Sequence, residues 1–134
     1  MNDCIFCKII AGAIPCHKIF ENEEVLAFLD IHPCSDGHAV VIPKKHFSEI
    51  KDVDDSTWQG LMLGLKTSVE LVDKVLAPVG MNVGINNRKG AGQAVPHLHW
   101  HIIPRYDKDG GGSMHSIVRS ENTTDVAEIK KRFL

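Results

Sequence analysis

The chain has 134 residues, 43% of them hydrophobic and 24% charged, which is enough for one domain with its own core and excludes a disordered segment. A formal charge of −2 excludes a broad basic surface, so nucleic acid is not an expected partner and any phosphate-bearing ligand must be held by a local site. No run approaches the ~20 apolar residues of a membrane span, and MNDCIFCKII places an acid and two cysteines where a secretory signal would be basic and then apolar.

Four cysteines without a secreted spacing pattern point to a reducing cytoplasm. In chain order, residues 4–11 carry Ile5, Phe6, Ile9 and Ile10 ahead of Gly12 and Pro15, which predicts a short helix with a stop. Residues 17–21 and 25–30 read as strands split by the turn residues Glu21, Asn22 and Glu23; residues 38–43 supply a third strand after the loop 33–37. Trp58, Leu61, Met62, Leu65, Val69, Val72 and Leu76 recur at helical spacing between the acidic start at Asp54 and the stops Pro78 and Gly80, the one long helix. Strands over 81–86 and 95–104 follow, joined by a Gly-rich stretch over 87–93. Residues 107–113 read as a flexible glycine run, and Asp125 with Glu128 as a capping box for a C-terminal helix through Val126, Ile129 and Phe133. The sum is an α+β fold: a five-stranded antiparallel sheet with one long helix, a short N-terminal helix and a C-terminal helix, in a single domain over 1–134.

The stretch His97-Leu98-His99-Trp100-His101 carries the chemistry. Strict alternation on a strand sends three imidazoles to one face, roughly 6–7 Å apart, and Leu98, Trp100 and Ile102 to the core. Such a row can line a phosphate-sized site. It can also be a solvent-facing row, or a set of zinc ligands, since His-x-His on a strand suits that metal.

Residues 93–103, QAVPHLHWHII, resemble the signature of the histidine triad (HIT) family, and so do three upstream blocks: CIFCKII at 4–10, FLDI at 28–31 and GHAVVIPKKH at 37–46. The resemblance spans 4–105 and is closest to the bacterial and Hint-type phosphoramidase branch. It implies the HIT α+β fold, a homodimer, and hydrolysis of purine nucleoside monophosphate conjugates at the α-phosphorus. Carried over by position, His99 is the nucleophile that forms a nucleotidyl-histidine, and His101 contacts the phosphate and assists the leaving group. Asn86 and Gln93 contact the phosphate or leaving group, helped by amides of the Gly-rich loop; turn chemistry is the competing explanation for both. The nucleoside lies against Phe6, Ile9, Phe28 and Ile31, with Asp30 accepting from the ribose hydroxyls. Ala94 stands where Hint-type proteins commonly carry serine, which leaves leaving-group protonation to His101 alone.

The resemblance also implies structural zinc, held by Cys4, Cys7, His46 and His97 as in one bacterial subset of the family; two buried free thiols or a redox pair are the other readings of Cys4-x-x-Cys7. Three further functional readings stay open at this point: a dinucleoside polyphosphate hydrolase, a nucleotide-binding or interaction protein with little catalysis, and a zinc hydrolase using all three triad histidines.

Overall fold

Cys4 sits in extended backbone, and its Sγ accepts the Cys7 amide at 3.3 Å, so the first helix, α1 (Ile5–Ile10), begins on a sulfur cap. This helix has six residues, too few to be stable by itself. Its position depends on what Phe6 and the two thiols touch. The computed structural model describes residues 3–121 and 123–133.

Strands β1 (Lys18–Glu21), β2 (Val25–Leu29), β3 (Ala39–Pro43), β4 (Gly80–Gly84) and β5 (Trp100–Arg105) form one antiparallel sheet in the order β1-β2-β3-β5-β4. The long helix α2 (Asp55–Leu76) starts at Asp54, whose carboxylate accepts the Thr57 amide at 3.1 Å. It ends at Ala77, a left-handed residue at φ 46° where glycine is usual, and Pro78 cannot continue the helix. On α2, Leu61 and Val72 pack against Val25, Ala27, Val41, Leu98, Trp100 and Ile102 on one face of the sheet. Gly64 lets the helix lie on β2: a Cβ there would overlap the Val25 side chain. Alternate residues of the same strands, Leu26, Phe28, Val40 and Ile42, turn to the opposite face, where α1 lies with Phe6 and Cys4.

Beyond one-residue shifts at the ends of elements, the structure departs from the sequence reading in four places. The last strand begins at Trp100, not Val95, because Pro96 has no amide to pair and the Leu98 amide leaves the ladder for the Phe47 carbonyl at 2.7 Å. The Pro43 carbonyl, which a continued strand would use, is taken by the His97 ring at 2.8 Å. Alternation nevertheless survives this break: Leu98 stays in the α2 core, while His97 and His99 both pack their rings against Phe6. β4 ends at Gly84, two residues short of Asn86. Residues 107–113 are clasped around Arg105, which pairs with Asp109 through two nitrogens at 2.7 and 2.9 Å and also bonds the Gly112 carbonyl. At the C-terminal helix α3 (Val126–Lys130), Asp125 caps Ala127 at 3.0 Å, but Glu128 pairs forward with Lys131 at 2.9 Å and does not close a capping box.

Candidate active site

β5 brings His101 between Val40 of β3 and Gly84 of β4, while His97 and His99 hang on the extended lead-in to that strand. Their protonation follows from their neighbours. His99 Nδ1 lies 2.8 Å from the His97 carbonyl, which can only accept, so Nδ1 carries the proton and Nε2 keeps a lone pair. The Cys34 amide donates to His38 Nδ1 at 3.0 Å, which puts the His38 proton on Nε2. That nitrogen is 2.9 Å from His101 Nδ1 and donates to it, leaving the His101 proton on Nε2. With ring centroids 5.0 Å apart, the site pairs a lone-pair nitrogen on His99 with an N–H on His101.

Neutral rings are what this arrangement needs, and burial supplies them. Desolvation pushes His101 down to about 4, aided by repulsion from His99 and His38. Burial also lowers His99, against the hydrogen bond to the His97 carbonyl, and lowers His38, against the nearby Asp30. A neutral His101 offers one hydrogen bond but has no second proton to give. Its Nε2–H is the proton it can offer to an oxygen or to a leaving group.

A cavity of about 410 Å³ opens on His99 and His101, and Phe6, Ile9, Phe28, Asp30 and Ile31 line it. Seven residues singled out by resemblance thus meet in one place. Phe6 and Phe28 meet edge to face at 5.7 Å and form its apolar wall, while Ile31 is largely exposed at its rim. Asp30 is already partnered: its Oδ1 accepts the His32 amide at 2.8 Å, and its Oδ2 stands 3.6 Å from His38 Nε2. Ala94 lines the same cavity with a methyl group.

Asn86 lines a second, smaller cavity on the far side of His101, and Gln93 lines neither. The Gln93 carboxamide accepts the Arg88 amide at 2.7 Å and donates to the carbonyls of Ser48 and Val95 at 2.9 and 3.0 Å. These bonds close the loop, as the turn-chemistry explanation for Gln93 expects. The loop amides expected to face phosphate are similarly engaged: those of Ala91 and Gln93 bond the Arg88 carbonyl and that of Gly92 bonds Lys89.

His38 and Cys34 are the site residues that reading the sequence missed. His38 is a buried imidazole opening the apolar run Ala39–Pro43, in the strand beside β5, and that placement is the signal that could have found it.

Beneath His99, Cys4, Cys7, His46 and His97 point their ligand atoms at one another, all within 4.8 Å. His97 Nδ1 is 3.4 Å from Cys4 Sγ, 3.5 Å from Cys7 Sγ and 3.1 Å from His46 Nδ1; Cys7 Sγ is 3.3 Å from His46 Nδ1. Tetrahedral zinc with thiolate and imidazole ligands separates them by about 3.3–3.8 Å, so the set fits. Because His97 donates Nε2–H to Pro43, its lone pair at Nδ1 faces the thiols, and burial pushes the ring down to about 4, favouring the neutral form a metal binds. This geometry removes the zinc hydrolase reading: His97 turns away from His99 and His101, and the three rings do not converge on one ion. Asp30, His38 and His101 also group their ligand atoms, but the His38 proton occupies the space between the two rings.

The HIT domain sequence model matches residues 11–108. Among curated relatives, an uncharacterized HIT-like protein of Methanocaldococcus jannaschii is 49% identical over 95% of this chain and 98% of its own. The adenosine 5′-monophosphoramidase of Schizosaccharomyces pombe is 44% identical over 81% of this chain and 78% of its own. Among solved structures, a HIT family protein from Bacillus subtilis superposes with a TM-score of 0.85 at 38% identity, covering 98% of this chain and 94% of that one.

Proposed function

Since the chain belongs to the HIT domain family, we propose that it hydrolyses purine nucleoside monophosphate conjugates as a phosphoramidase, through a nucleotidyl group carried on His99. The observation that carries this reading is the pair of opposed nitrogens, the lone pair on His99 Nε2 beside the N–H of His101, at the floor of a nucleoside-sized cavity. The relative from Schizosaccharomyces pombe named as a monophosphoramidase supports the substrate class.

The base rests between Phe6, Phe28, Ile9 and Ile31, and the ribose faces Asp30. His99 Nε2 bonds to the α-phosphorus; the bond to the leaving amine breaks, its electron pair stays on the amine, and the amine takes a proton from water. His101 donates Nε2–H to a phosphoryl oxygen as charge builds there. The positive charge on the nucleotidyl-imidazole is held by the Nδ1–H bond to His97. Water then displaces His99 from phosphorus, loses its proton to solvent and leaves as part of the monophosphate.

Cys4, Cys7, His46 and His97 hold one structural zinc ion, which ties α1 to the segment carrying the nucleophile. The free cysteines suit a reducing cytoplasm, and the place of β4 at one end of the strand order suits pairing with a second copy. His99→Ala tests the chemical step: kcat on adenosine phosphoramidate falls below about a hundredth of the wild-type value while nucleotide binding by calorimetry persists. A variant keeping more than that turns over without the covalent step, contrary to the proposal.

A further inference from the structure

A third cavity, of about 490 Å³, shares no lining residue with the larger cavity at His99. Cys7 and His46 of the thiol–imidazole cluster open onto it, together with Lys8, Lys44 and Lys45, and no aspartate or glutamate is among the described residues that line it. Lys44 is held by Glu21 at 2.9 Å and Lys45 stands 4.0 Å from Asp54, whereas Lys8 forms no ion pair among the described residues. In a chain of net charge −2, three ammonium groups thus line one space beside the more accessible of two neighbouring thiols.

The second thiol, Cys4, is buried behind Cys7, and its Sγ lies within 4.8 Å of Cys7 Sγ. A disulfide bond of about 2 Å between them closes that gap and draws both sulfurs off the imidazoles, from which Cys7 Sγ stands 3.3 Å at His46 and Cys4 Sγ 3.4 Å at His97. It also disturbs the cap of α1, since Cys4 Sγ accepts the Cys7 amide. The thiols join α1 to His46 and His97, and the same six-residue helix carries Phe6 and Ile9 into the wall of the larger cavity.

We propose that Cys4 and Cys7 are a site of reversible oxidation by small anionic disulfides, which the lysines of this cavity draw to Cys7. Bound at a cation, both sulfurs are thiolates, the form that attacks a disulfide. Cys7 Sγ attacks one sulfur of the incoming disulfide; the S–S bond of that molecule breaks, and one of its halves departs as a thiolate. Cys4 Sγ then attacks Cys7 Sγ, the mixed S–S bond breaks, and the second half departs with the electron pair. The two cysteines lose two electrons and the disulfide gains them. The cluster keeps only the His46 and His97 rings, too few to hold zinc, and α1 loses its tie to them. Zinc loss and a weakened wall for the nucleoside rest on the zinc and hydrolase readings above; the oxidation itself rests on the thiols and the lysines.

Three disulfides of different charge test the site on the reduced full chain: dithiodiglycolate with two carboxylates, hydroxyethyl disulfide with no charge, and cystamine with two ammonium groups. Each rate is divided by that of the same disulfide with free cysteine, which removes its intrinsic reactivity. Oxidation is read by mass spectrometry as a tryptic peptide 1–8, holding both thiols, that is two hydrogens lighter, and a chromogenic chelator follows zinc release. The normalised rate is expected to be about tenfold higher for dithiodiglycolate than for the neutral compound and lower still for cystamine. Lys8→Ser combined with Lys45→Ser, or raised salt, brings the three within about threefold of one another. The oxidised protein melts at a lower temperature and binds adenosine monophosphate about tenfold more weakly, and dithiothreitol with added zinc reverses both. A peptide 1–8 that stays reduced while Cys16 or Cys34 is modified overturns the proposal, as do equal normalised rates for the three charges or an oxidised protein with unchanged Tm. Reduced protein without zinc sinks the zinc reading, and reduced protein that binds no adenosine monophosphate sinks the hydrolase reading; in either case the peptide mass and the charge order still decide the thiol site.

Discussion

Three groups, two of them backbone, settle the state of the His99 and His101 nitrogens: the His97 carbonyl directs His99, and the Cys34 amide through the His38 ring directs His101. The alternation of histidine with Leu98 and Trp100 made the triad legible in the sequence. His38 was not, because its function is a contact across 63 positions of sequence and depends on which nitrogen holds the proton. The loop bonds of Gln93 were not legible either, because they join its carboxamide to Arg88 and, across 45 positions, to Ser48. The pH dependence follows from His101. Burial lowers its pKa to about 4, so the neutral ring persists well below the ordinary imidazole value. A protonated His101 would turn Nδ1–H against the Nε2–H of His38. Turnover is expected to stay level from pH 8 to about 5.5 and to fall toward pH 4. The linked stability has the same sign: it is fully present above the unfolded value near 6.5 and is lost as pH drops toward 4, at up to about 1.4 kcal/mol per pH unit for this ring. A kcat profile that instead breaks near 6.5 contradicts the assigned burial. For Asp30, the His32 amide holds one oxygen and leaves the other toward the cavity. Asp30→Asn keeps the first bond and replaces the second acceptor with a donor. Ribonucleotide affinity should fall about tenfold or more, and 2′-deoxyribonucleotide affinity less, by calorimetry. Equal losses assign Asp30 to the loop alone.

The long helix could be read from its period and the Asp54 cap, and the structure begins it one residue later. The start of β5 could not, because pairing past Trp100 is prevented by Pro96 together with a ring, His97, that takes the carbonyl a strand would need. At the other end, α1 shows what a short helix requires. Phe6 is its one buried residue, and Cys4 acts both as its cap and as a member of the thiol–imidazole cluster. Removing a zinc ion held by that cluster should therefore loosen the wall that Phe6 and Ile9 give to the larger cavity. Purified reduced protein is expected to contain about one zinc per chain by elemental analysis, and chelator or Cys4→Ser to lower both zinc content and Tm. Metal-free protein whose Tm ignores chelator contradicts this, and leaves the His99 chemistry untouched.

The sheet divides the molecule into two layers. The long helix α2 covers one face and supplies the larger core, while the opposite face carries α1, the histidines and both cavities. This separation lets the binding face hold buried imidazoles and a small helix without interrupting the packing that stabilises the sheet. β5 lies between β3 and the edge strand β4, so His101 sits one strand in from the sheet's edge, with the larger cavity on one side of it and the smaller cavity on the other. The fold class, the strand number and the helix order were legible in the sequence. The position of the smaller cavity was not, since it depends on a C-terminal turn folding back across β4 under the hold of Arg105. Rapid acid-free quenching of the enzyme during turnover of adenosine phosphoramidate, followed by mass spectrometry of its peptides, tests the proposed covalent step. An adenylyl group is expected on the peptide bearing His99, formed within one turnover and missing from His99→Ala. Sustained turnover with no nucleotide on the protein, or with the adduct on another residue, would contradict it.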